Sequence, residues 1–185
     1  MPDFYRETCN EPNSYCKNIG VKPCKSVTTA VRFGIIDDLT NESEPAFIQE
    51  FREENWQVVV LKQNGLDYKV TFKAIDKCIV FPLPKRNEDD NDICDGMLYF
   101  DNHLYFIEIK SWSNAKYTEK AISQLSRTIK IFSENHSVED YNNRRAYISN
   151  VVKPNAPEGR QTIKDRFADE NLSFDLIWST EIKLP

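Results

Sequence analysis

Three residues within one short stretch have the types and spacing that metal-assisted chemistry on a phosphate ester requires: Asp95, Glu108 and Lys110. The stretch reads Asn91-Asp-Ile-Cys-Asp-Gly-Met-Leu-Tyr-Phe-Asp-Asn-His-Leu-Tyr-Phe-Ile-Glu-Ile-Lys110. Tyr105, Phe106, Ile107 and Ile109 make its second half nearly all apolar, the pattern of a central strand. Glu108 and Lys110 interrupt that run two residues apart, so both point to one face of the strand. Burying a carboxylate and an ammonium is costly unless each finds a partner. Two charges on one face of a buried strand need an explanation, and Asp95, set among Ile93, Cys94, Met97 and Leu98, supplies one. A turn near Asp101-Asn102 brings Asp95 opposite the region of Glu108, with Asp92 taking its place if the register shifts. Two carboxylates so placed can hold one hard cation, Mg²⁺ or Mn²⁺, through oxygen ligands, and the Ile109 carbonyl is a third candidate ligand. Lys110 beside that ion would orient an attacking water or steady the charge that develops on phosphorus. The plainer alternatives are a cross-strand ion pair for Glu108 and Lys110, and a turn or bulge residue beside Gly96 for Asp95.

The order of these residues, Asp95, then Glu108-Ile109-Lys110, then a helix bearing Gln124, resembles the PD-(D/E)xK superfamily of restriction-endonuclease-like nucleases. Members of that superfamily share a hairpin whose strands carry the Asp and the Glu-x-Lys. The resemblance spans residues 44–135, and Cys94 stands where a Pro often precedes the Asp. It implies a carboxylate in an early helix, for which Glu50 is the candidate and Glu53 and Glu54 are rivals. It also implies a supporting polar role for Gln124. The implied fold is α/β, a central mixed β-sheet flanked by helices. The implied activity is metal-dependent hydrolysis of phosphodiester bonds in DNA. A catalytically inactive nuclease-fold protein, acting as a binding, immunity or accessory module, is the alternative. Nucleic acid is the implied partner, and a homodimer or a protein partner is compatible with it.

The elements that would position these residues follow from the hydrophobic pattern. Residues 1–30 are polar, with three prolines and no clear period, so residues 1–40 read as an N-terminal arm with one short strand at 26–33. The nuclease-like domain then covers residues 41–185. Ser43 and Pro45 resemble a helix start, and Phe47, Ile48 and Phe51 continue at helical spacing, so residues 44–55 read as an amphipathic helix. Strands follow at 56–62 and 67–75, with Asn64-Gly65 as a turn, and the chain continues extended over 77–81. The run KRNEDDND at 85–92 reads as a solvated loop. A hairpin over 93–112 carries the site. Ala121, Ile122, Leu125, Ile129 and Phe132 recur at threes and fours, marking a long helix over 115–133. A strand at 144–152, a loop at 153–160, a short helix at 161–169 and a strand at 173–179 complete the order.

Composition bounds the rest. The chain has 185 residues, 40% hydrophobic and 29% charged, enough for one domain with its own core. The net charge of −5 argues against a protein that coats nucleic acid, because such binding rests on an excess of Lys and Arg. It is compatible with a local acidic metal site beside a basic rim such as Lys116, Lys120, Arg127, Lys130 and Lys153. Five cysteines at irregular spacing make a poor disulfide framework, so a reduced, cytoplasmic protein is expected. Cys9, Cys16 and Cys24 lack the short pairs of a zinc knuckle. His103 and His136 have no nucleophilic partner at a recognisable spacing, and there is no Gly-rich phosphate loop. No run is apolar for the ~18 residues of a membrane span.

Overall fold

β-Branched and aromatic runs dominate the chain, and they form strands wherever two of them can pair. The computed structural model describes residues 4–5, 23–37, 44–64, 68–79, 93–111, 116–152 and 160–185. These residues form strands β1 (Lys25–Thr28), β2 (Arg32–Ile36), β3 (Phe47–Gln49), β4 (Val58–Lys62), β5 (Val70–Ala74), β6 (Gly96–Phe100) and β7 (His103–Lys110). Helix α1 (Lys116–Asn135), β8 (Asn143–Asn150), α2 (Arg160–Glu170), β9 (Asp175–Trp178) and β10 (Glu181–Leu184) follow. The strands divide into a six-stranded sheet, ordered β1-β5-β6-β7-β8-β9, and a four-stranded sheet, ordered β10-β4-β2-β3. The protein is therefore α/β with two mixed sheets. No helix among the described residues is long and apolar enough to cross a membrane.

The larger sheet changes direction at β7. Strands β1, β5, β6 and β7 pair antiparallel, and β8 and β9 then run parallel to β7. The β6–β7 hairpin turns tightly through Asp101-Asn102, where Asp101 takes a left-handed φ of 45° of the kind short hairpin turns require. Parallel strands need a crossover, and α1 supplies it between β7 and β8. The stripe predicted from spacing is the buried one: Ala121, Leu125, Ile129 and Phe132 lie in the core. Phe132 meets Phe106 of β7 edge-on, with ring centroids 5.5 Å apart. Phe106, Glu108 and Lys110 share a face, so α1 covers the face of β7 that bears the charged pair.

The smaller sheet differs from the expected architecture. Residues 44–55 are not a helix: Phe47–Gln49 is a strand, followed by a single 3₁₀ turn at Glu53–Asn55. Phe47, Ile48 and Phe51 fit helical spacing, but Ile48 pairs with Ile35 across the β2 ladder and Phe51 is 76% exposed. Bulky strand-forming residues beside an open sheet edge gain a backbone ladder, and that gain overrides a three-residue helical pattern. Residues 25–36, expected as an arm with one strand, form two, and β1 and β2 belong to different sheets. Residues 76–78 turn instead of running extended, and β10 was not anticipated. Gly34 of β2 is required by a close approach, because a Cβ there would lie 2.0 Å from the Trp56 indole.

The cysteines depart most plainly from expectation. Cys24 and Cys78 form a disulfide, with Cα atoms 5.8 Å apart, so the chain is not fully reduced and Cys24 is no zinc ligand. Cys94 is free and buried. Cys9, Cys16, the charged run at 85–92, Asp92, Gly65, Ser43 and Lys153 lie outside the described residues.

Candidate active site

The hairpin register decides whether the two carboxylates meet. Gly96 pairs with Ile107, so one step outward Asp95 stands across from Glu108. Directly opposite residues of an antiparallel pair share a face. Asp95 Oδ2 accepts the Ile109 N–H at 2.6 Å, which fixes the aspartate against β7. The contact that Ile109 makes with the site is thus through its N–H. Glu108 Oε1 forms an ion pair with Lys110 Nζ. Lys110 Nζ also donates to Gln124 Oε1 of α1 at 2.8 Å. The Gln124 amide in turn donates to the Ile93 carbonyl at 3.1 Å. One turn further along α1, Thr128 Oγ1 accepts the Cys94 N–H at 2.9 Å and donates to the Gln124 carbonyl at 2.7 Å. Gln124 and Thr128 therefore dock α1 onto residues 93–94 and set Asp95 and Lys110 at one place.

Four of the residues singled out from the sequence, Asp95, Glu108, Lys110 and Gln124, are thus brought together. Glu50 is placed elsewhere. Without its helix it sits exposed after β3, where its carboxylate accepts the Thr28 hydroxyl at 2.5 Å. Glu53, one of its rivals, pairs with Arg32. Two acids that sequence reasoning passed over act on the paired carboxylates. Asp37, at the end of β2, acts electrostatically on both Asp95 and Glu108, and Asp76, after β5, acts on Glu108. Asp37 is buried, its N–H donates to Gln57 Oε1 at 2.5 Å, and its carboxylate lies 3.6 Å from Lys77 Nζ. Both acids come from segments remote from the motif in sequence, so no local spacing announces them.

Burial works against charge at the site. Glu108 is fully buried, and Asp95 is 9% exposed. Burial pushes the Glu108 carboxyl up to about 7, and Asp37 and Asp76 add to the rise while Lys110 opposes it. Burial also raises Asp95 well above the ordinary carboxylate range, helped by Glu108 and Asp37 and opposed by Lys110 and the Ile109 N–H. The buried Cys94 thiol is pushed up by desolvation and by Glu108, so it is a poor nucleophile. Glu108 Oε2 is buried and meets no hydrogen-bond donor among the described residues. An orphaned carboxylate oxygen, a facing aspartate and the Lys110 ammonium beside Glu108 fit a hard cation that brings its own charge. Among the described residues no three or more His, Cys, Asp or Glu side chains are grouped so as to hold a metal ion. A cation here would therefore rest on two carboxylates, with water or substrate oxygens completing its shell, a habit that suits Mg²⁺.

No family model, no curated protein and no solved structure matches this chain.

Neither histidine joins the site. His103 stacks on Phe100 with centroids 4.5 Å apart, and His136 packs against Phe4 and Tyr5 beyond α1. Arg145 lies over the Tyr105 ring at the start of β8, five residues along the strand from the end where Lys110 sits.

Proposed function

We propose that this protein is a metal-dependent nuclease of the PD-(D/E)xK type, hydrolysing phosphodiester bonds of DNA at a site formed by Asp95, Glu108 and Lys110. One observation carries the reading: a buried Glu108 with an unsatisfied oxygen stands across the hairpin from Asp95, with Lys110 held beside it by Gln124. A structural ion pair would leave neither an orphaned buried oxygen nor a second acid facing it.

In this reading Asp95 and Glu108 hold the ion. When bound, a divalent cation supplies neutralising charge for a phosphoryl oxygen and lowers the pKa of water. Asp95 is kept in place by the Ile109 N–H, which leaves its other oxygen for the ion. Lys110 exchanges its contact with Glu108 for the attacking water or a phosphoryl oxygen. Gln124 limits where the ammonium can go, so that the charge is preorganised before substrate arrives. The C-terminal ends of β7 and β8 carry Lys110 and Asn150 side by side, and crevices at such strand ends are where α/β sheets receive ligands. A cytoplasmic location goes with this reading.

The test is cleavage of supercoiled plasmid and of linear DNA with Mg²⁺ or Mn²⁺, comparing wild type with Lys110→Ala and Asp95→Asn. Wild type should cut only with metal, and each variant should lose a factor of about 10² or more. Metal-dependent cutting that survives in both variants would remove this site from the chemistry. A folded wild type that binds DNA and never cuts it would favour the inactive, accessory alternative.

A further inference from the structure

The Cys24–Cys78 disulfide plays no part in the proposed hydrolysis, yet its position ties it to the site. On one side Cys24 precedes β1, which is already zipped to β5 through four register pairs, from Lys25↔Lys73 to Thr28↔Val70. The Cys24 carbonyl extends that ladder by accepting the Ala74 N–H at 2.8 Å. The two strands therefore need no staple of their own. On the other side Cys78 closes a tight turn, donating its N–H to the Ile75 carbonyl at 3.2 Å, while Ile79 donates to the same carbonyl at 2.9 Å. Ile75, the first residue of the turn, donates its own N–H to the Asp95 carbonyl at 2.9 Å.

The turn carries charge as well as a backbone anchor. Lys77 adopts a left-handed φ of 62°, with its N–H on Asp76 Oδ1 at 2.8 Å. Its ammonium lies 3.6 Å from Asp37. A lysine in that region of backbone space is strained and persists only if its surroundings hold it. One covalent bond thus restrains a strained turn that anchors Asp95 at one end and sets Asp76 and Lys77 beside the site.

We propose that the Cys24–Cys78 disulfide is a redox clamp on the Asp95–Glu108 site. Oxidised, it holds residues 75–79 against Asp95; reduced, it lets that turn loosen, and the site loses affinity for a divalent cation. The cation half of this inference rests on the function proposed above. In reduction by a dithiol, a reagent thiolate attacks one cysteine sulfur and the S–S bond breaks. The departing thiolate takes a proton, and the reagent's second thiolate then displaces the other cysteine from the mixed disulfide. Two electrons pass to the protein, which ends with two thiols, and the reagent leaves as its cyclic disulfide. Both cysteines are buried, so the reductant enters when the turn opens and not through the ladder. A disulfide in a reducing compartment is usually transient and either catalytic or redox-sensing, and this position suits the second use.

The experiment uses the full chain, oxidised, then reduced with dithiothreitol and freed of reagent without air. Amide hydrogen exchange and Mn²⁺ titration at pH ~8, above the raised Glu108 pKa, are measured in both states. Reduction should speed exchange at Ile75, Ile79 and Ile109 while the β1–β5 ladder stays protected. It should weaken Mn²⁺ binding about tenfold, reversibly on reoxidation. Cys24→Ser/Cys78→Ser should match the reduced protein and ignore dithiothreitol. Unchanged exchange at Ile75 and Ile109 would overturn the clamp, as would changed exchange with unchanged Mn²⁺ affinity. An oxidised protein that binds no Mn²⁺ would overturn the proposed function instead, and the exchange data would still decide whether the disulfide restrains Asp95.

Discussion

Glu108 carries the physical argument at the scale of single residues. Its folded pKa, near 7, lies above its ordinary 4.5, because burial disfavours the charged form more than Lys110 supports it. Folding therefore takes up a proton between these values. The stability Glu108 contributes is complete below about pH 4.5 and is lost as the pH rises through about 7. The difference across that window is of order 3 kcal/mol. Urea denaturation should show wild type losing stability from pH 5.5 to 8 relative to Glu108→Gln, with Asp95 adding in the same direction. Mg²⁺ should restore stability at pH ~8 and do little at pH ~5.5, where the carboxyl is protonated. A wild type and a Glu108→Gln variant with parallel pH profiles would show that the carboxyl is not strained by its burial. Asp95, Glu108 and Lys110 could be read from sequence because charge inside an apolar strand is conspicuous. Asp37 and Asp76 could not, since each follows a different strand and joins the site only through the tertiary fold.

Among the elements, the hairpin and α1 form the positioning frame. Gly96 follows Asp95 directly, and a Cβ there would come 2.5 Å from Phe72 and 3.0 Å from the Lys73 carbonyl. The carbonyl belongs to a paired strand and cannot move aside cheaply. Gly96→Ala should therefore destabilise the fold by about 1–3 kcal/mol in chemical denaturation and displace Asp95 from the Ile109 N–H. A variant with wild-type stability would show that β5 and β6 are looser than their packing implies. Hairpin and helix were legible because each is long and strongly periodic: β7 spans eight residues and α1 twenty. The segment at 44–55 was misread because three apolar residues fit helical spacing while the β2 edge that captures them is invisible locally. With that helix goes the basis for Glu50, whose carboxylate serves Thr28. The disulfide was missed for a related reason: Cys24 and Cys78 are 54 residues apart, and only the β1–β5 pairing makes them neighbours.

At the scale of the whole molecule, the two sheets cooperate on one end of β7. The larger sheet supplies Asp95, Glu108 and Lys110, while the smaller sends Asp37 and, through the Gln57 carbonyl, accepts Ser149 Oγ of β8 at 2.9 Å. If DNA is the substrate, as proposed, the total charge of −5 requires a local set of Lys and Arg to hold it against a repulsive background. Cleavage at subsaturating DNA should accordingly fall steeply between about 50 and 200 mM salt, and a flat dependence would argue against phosphate contacts. The proposed sharing of one divalent ion by Asp95 and Glu108 is checked by equilibrium Mn²⁺ binding followed by electron paramagnetic resonance at pH ~8. Wild type should bind one Mn²⁺ tightly, and Asp95→Asn and Glu108→Gln, each folded, should lose that site. A wild type that binds none, or an Asp95→Asn variant that binds as wild type does, would contradict it.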